Sequence, residues 1–157
     1  MSQSRIARLE QARAAEPRPV DVPATIATFR QEGNLLWLSG QVAAAENGLV
    51  ATGTVGADVD LETARRCARQ CALNLLAQAE QAVGLDTVES VLRITVYVAS
   101  TPDFHAQHLV AHAATDVFTE VLGGSAHVRT ALGVAALPLG SPVEADAVLV
   151  LRDSVSR

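Results

Sequence analysis

The sequence predicts an α+β domain, a mixed sheet with two helices layered on one face. Three observations predict it: β-branched segments near both ends and in the middle of the chain, two long stretches of helical periodicity between them, and turn residues at each junction. The 157 residues suit a single core, and with 49% hydrophobic and 18% charged the chain can bury a sizeable interior. Aromatics make up only 3%, so Ala, Val and Leu must fill that interior by close packing.

Residues 1–19 read as an N-terminal helical leader. A weak helical pattern over residues 6–15 stops at Glu16-Pro17-Arg18-Pro19, where two prolines mark the boundary with a single domain over residues 20–157. Glu10 and Glu16 argue against a transit peptide, so the leader is expected to be a short helix on the outside of the domain. Residues 25–30 and 35–39 favour strands and flank Glu32-Gly33-Asn34, a hairpin signal. A loop punctuated by Asn47-Gly48 and Gly53 to Gly56 follows. Asp58 or Asp60 then caps a helix that runs to Val83 and ends at Gly84. Its Leu61, Ala64, Ala68, Cys71, Leu75, Ala79 and Ala82 recur at intervals of three and four, which buries one face. Residues 88–98 are too β-branched for a comfortable helix and predict a central strand. Thr101-Pro102-Asp103 opens a second helix over residues 104–122, ended by Gly123-Gly124. Residues 128–137 and 143–151 are the last two strands, joined through Pro138 to Pro142.

Composition excludes several function classes. Net charge is −5, which argues against nucleic acid as a partner. Arg65, Arg66 and Arg69 read most simply as a solvated helix face. There is no lysine, so Schiff-base catalysis through a side-chain amine is ruled out, and Gly53 to Gly56 lacks the Lys and Ser/Thr of a phosphate loop. No apolar run approaches the roughly 20 residues of a membrane span. Cys67 and Cys71, four apart in a helix, suit packing better than a disulfide and point to a reducing compartment, the cytoplasm.

Arg129 heads an otherwise apolar strand. A buried guanidinium needs a partner, so it is either a structural ion pair or solvated strand end, or a bidentate clamp for a small carboxylate. Alternation puts Glu144 and Asp146 on the face opposite Val143, Ala145, Ala147 and Leu149. If the last two strands form an antiparallel hairpin, Arg129 falls opposite Leu151, about 20 Å from Glu144, and the two share a pocket only across a subunit boundary. His105, His108 and His112 stand at i, i+3 and i+7, a legitimate ligand spacing. Without an H-E-x-x-H signature the expectation is no metal, and solvent-exposed or pocket-edge histidines.

Leu38-Ser39-Gly40-Gln41, the Ala-rich helix with Asn74 ending at Gly84-Leu85, the strand over residues 91–98, Asp103-Phe104 and the stretch from Arg129 to Asp146 together resemble the Rid (reactive-intermediate deaminase, YjgF-like) family, also known as endoribonucleases. The resemblance spans residues 23–151 and is nearest to the longer branch, with Gly133-Val134-Ala135-Ala136-Leu137-Pro138-Leu139-Gly140. It implies a chorismate-mutase-like fold, a homotrimer and a ligand pocket in each intersubunit cleft. It also implies that Arg129 grips the carboxylate of a 2-imino acid, that Glu144 places the attacking water, and that amides near Gly40 and Ala131 assist, with His112 lining the pocket. The product would be a 2-keto acid and ammonium, with no cofactor. The tyrosine of many active members is replaced by Thr25, and Ala131 stands where several have Cys. Three classes stay open: an imine deaminase, a non-catalytic small-acid binder or chaperone-like trimer, and an endoribonuclease.

Overall fold

Asp60 starts the longest helix. Its carboxylate accepts the amide hydrogen of Thr63 at 2.7 Å, which holds the carboxyl below its ordinary pKa and satisfies one of the orphan donors of the first turn. The helix then runs over Leu61–Val83 until Gly84, at φ 78, turns the chain out. This computed structural model describes residues 3–14, 26–124 and 126–152. Its helices are α1 (Arg5–Ala14), α2 (Leu61–Val83) and α3 (Gln107–Leu122); its strands are β1 (Phe29–Glu32), β2 (Leu35–Val42), β3 (Ala44–Ala45), β4 (Gly48–Leu49), β5 (Val88–Ala99), β6 (Val128–Val134) and β7 (Val143–Leu151).

The five-stranded sheet has the order β1-β2-β7-β5-β6, with β5 and β6 parallel and the other neighbours antiparallel; β3 and β4 form a separate two-stranded pair. The predicted central strand, β5, is interior, flanked by β7 and β6, and β7 is the middle of the five. One expectation changes here. β6 and β7 are no hairpin, because β5 lies between them. The chain passes from β5 through α3 to β6, and a strand–helix–strand connection of that length returns parallel to its start. The segment between β6 and β7 then crosses β5 by way of a short 3-10 turn at Pro138–Gly140.

As predicted, two helices, α2 and α3, pack on the sheet, and the leader helix α1 lies outside them against α3 and α2. The weak periodicity of α1 conceals that Leu9 and Ala12 are buried in the core. The guanidinium of Arg5 pins α1 by donating to the carbonyls of Leu85 and Leu122, each at 3.0 Å, and of Val88. α3 begins three residues later than expected, because Phe104 closes a turn back onto Thr101.

On the covered face of the sheet Ile94, Val96 and Val98 of β5 pack with Val143, Ala145, Ala147 and Leu149 of β7. Both thiols are buried, Cys71 resting against the carbonyl of Val143 at 3.5 Å. Among the described residues no helix lies on the opposite face. It carries Trp37 at 52% and Val128 at 64% exposure, with Leu92 at 44% on the bulge of β5.

Candidate active site

The predicted site residues fall into two groups on opposite faces of the sheet. Arg129 is the row partner of Ile94, a core residue, so its side chain leaves β6 on the helix-covered face and at the sheet edge. There Nη1 donates to Oγ1 of Thr115 on α3 at 3.0 Å, and Oγ1 also meets Nε2 of His127 at 3.3 Å. Ala131 lies two residues further along the same face and packs on the core. His112 stands exposed one turn before Thr115, its ring edge-on to that of His108 with centroids 6.0 Å apart. Arg129, Ala131 and His112 therefore belong to one β6–α3 corner. His105 precedes α3, which carries only His108 and His112 of the three, and among the described residues no group of three metal-ligating side chains converges.

Glu144 belongs to the other face. Its row partner is Tyr97, whose hydroxyl donates to Oδ2 of Asp146 at 2.8 Å. Removal from water raises the pKa of the half-buried Glu144 carboxyl, and the Asp146 carboxylate raises it further. The hydrogen bond to Asp146 likewise raises the Tyr97 hydroxyl. The Glu144 carboxylate lies directly over Gly40, where an added β-carbon would run into Oε1. Gly40 sits in the register shift of β2 between Leu38 and Gln41, and α2 holds that irregularity: the side-chain amide of Asn74 donates to Ala44 at 2.9 Å and Val42 at 3.2 Å, and is itself held by Gln70 at 2.9 Å. Buried Ser141 ties the same place to the start of β7. Its hydroxyl donates to the carbonyl of Val143 and accepts from the amide of Ala43.

Arg129 and Glu144 are two strands apart and three rows apart, about 14 Å at the usual strand spacings. The hairpin that put them about 20 Å apart does not exist, yet one chain still cannot bring them to one ligand, because their side chains leave the sheet on opposite faces. Tyr97, Thr115 and His127 were not singled out as site residues. Alternation along β5 groups Arg93, Thr95 and Tyr97 opposite Ile94, Val96 and Val98, and that pattern marks Tyr97. Thr115 is marked only by its three-residue spacing from His112. Thr25 lies outside the described residues. The Arg65 to Arg69 face is internally engaged: Arg65 approaches Glu62 at 3.9 Å and Arg69 approaches Glu120 of α3 at 3.8 Å.

Comparison with known proteins bears on the family and the fold. The chain is 39% identical over 124 residues to Protein TCP17 of Trypanosoma cruzi, covering 77% of this chain and 78% of that one. The crystal structure of the protein Atu1372 from Agrobacterium tumefaciens superposes with a TM-score of 0.84 at 38% identity, over 92% of this chain and 91% of that one. RidA from an Antarctic Psychrobacter matches with a TM-score of 0.58 at 25% identity, over 87% and 94%. The family profile described as Endoribonuclease L-PSP matches residues 22–151. With that match spanning most of the chain, and with the same fold in its relatives, the protein belongs to the endoribonuclease L-PSP family, the YjgF-like or Rid proteins.

Proposed function

We propose that this protein is a homotrimer that binds small 2-imino acids in clefts between subunits and hydrolyses them to 2-keto acids and ammonium. One observation carries the reading. Arg129 and Glu144, the two groups suited to carboxylate recognition and proton transfer, leave one sheet on opposite faces, so they complete a site only when a second copy supplies one of them. The uncovered sheet face, with Trp37, Leu92 and Val128 exposed, supplies the apolar surface for that copy. Similarity to RidA supports the reaction class.

The chemistry asks little beyond orientation. A protonated imine is already electrophilic, so holding its carboxylate on Arg129 and a water on Glu144 converts a bimolecular attack into an intramolecular one. As the water oxygen bonds to the imine carbon, Glu144 takes a proton from it. The tetrahedral adduct then collapses to the ketone as that proton passes to the nitrogen: the C–N bond breaks, the C=O forms, and the hydroxyl proton so released goes to the departing ammonia to give ammonium. Burial raises the Glu144 carboxyl, which makes it a better acceptor for the proton of the attacking water than an ordinary carboxylate. No step calls on a metal or cofactor. The two buried thiols accord with a reducing compartment.

The test is hydrolysis of 2-iminobutyrate generated in situ by an amino-acid oxidase. Wild type is expected to accelerate its decay and Arg129→Ala to lose that acceleration. A folded wild type that binds 2-ketobutyrate without accelerating decay would assign the non-catalytic binder instead, and RNA degradation that copurifies with the trimer would assign the nuclease.

A further inference from the structure

We infer that Thr115 is the positioning residue for Arg129, with His127 behind it, and that this tether selects the edge of the guanidinium that meets a ligand carboxylate. The inference rests on the clamp reading above and adds two residues to it. A guanidinium has no acceptor, so the 3.0 Å contact has one sense: Nη1 donates and Oγ1 of Thr115 accepts. The hydroxyl keeps one proton to give, and Nε2 of His127 stands 3.3 Å from it. With the neutral His127 ring protonated on Nδ1, Nε2 accepts that proton and orients the hydroxyl for Arg129.

The support is stiff where it needs to be. Thr115 sits mid-helix next to Ala114 and two residues before Val117, both fully buried, so the packing of α3 fixes the backbone that carries its hydroxyl. Among the described residues Thr115 is the one group that takes a hydrogen bond from Arg129. With Nη1 engaged, Nε–H and the outer N–H of Nη2 remain as a parallel two-donor edge, which matches the two oxygens of a carboxylate side-on. An arginine already ordered by α3 does not have to be ordered at the moment of binding.

The experiment titrates full-length wild type, T115V, T115S and R129A with 2-ketobutyrate, a stable 2-keto acid, and records the 15N resonance of His127 Nε2 at pH 8 without ligand. T115V keeps the volume of the side chain and removes the hydroxyl, so its dissociation constant is expected to rise about tenfold. T115S, which keeps the hydroxyl, is expected to stay within about threefold of wild type. His127 Nε2 is expected to report an unprotonated, accepting nitrogen in wild type and T115S and to shift in T115V. T115V binding as tightly as wild type, while R129A does not bind, overturns the positioning role and leaves the clamp intact. Equal binding by wild type and R129A overturns the clamp and the positioning role with it.

Discussion

Glu144 shows at the scale of one residue how the fold sets chemistry. Ionising it costs more in the folded chain than in the unfolded one, because burial and Asp146 both oppose the charge. A carboxyl with a raised folded-state pKa withdraws stability as pH climbs. Wild type and E144Q should therefore respond alike below the ordinary carboxyl value of 4.5. Above it wild type should lose stability relative to E144Q until pH passes the raised value, and the gap should then stay level. Thermal melts of both proteins between about pH 4 and pH 8 check this, and a gap that closes with rising pH would contradict it. Gly40 is the complementary case. Its backbone is unremarkable, but any side chain there occupies the space of the Glu144 carboxylate. G40A is expected to lower kcat for imine hydrolysis about as far as E144Q does while the protein stays folded, by far-UV circular dichroism.

Elements carry the site as much as residues do. α2 is a core helix by its periodicity, and its buried polar pair Gln70 and Asn74 has a task beyond packing: it fixes the carbonyls of Val42 and Ala44 and so the bulge that places Gly40 under Glu144. N74A leaves two part-buried carbonyls without that donor. It should cost about 2 kcal/mol in urea unfolding, with a fall in kcat that N74A shares with G40A. Several elements were legible because each rests on local chemistry. Asp60 caps α2, Gly84 ends it, Gly123 ends α3, and the β-branched run marks β5. The neighbours of β6 were not legible in the same way. The Pro138 to Pro142 loop reads as a hairpin connection, and only the strand–helix–strand order of β5, α3 and β6 argues for the parallel pairing that forms. α1 was legible as a short outer helix but its anchorage was not, since Leu9, Ala12 and the carbonyl-binding guanidinium of Arg5 replace a broad apolar stripe.

At the scale of the whole molecule the sheet is a partition. Its covered side holds the core and directs Arg129 toward α3, and its uncovered side holds Glu144, Asp146 and Tyr97 among exposed apolar residues. Alternation within β7 was enough to place Glu144 opposite the core residues. The face of Arg129 depended on the register of β6 against β5, a long-range pairing that no local pattern specifies. The central claim is that one chain cannot make the site and two neighbours can. R129A and E144Q, each inactive alone, should complement one another when unfolded together and refolded as mixed oligomers. In a cyclic assembly each cleft draws Arg129 from one chain and Glu144 from the next, so a random equal mixture restores about one quarter of the sites. Recovery of about that fraction of wild-type imine hydrolysis is the predicted result, and no recovery from mixed oligomers that are folded and assembled would contradict the account.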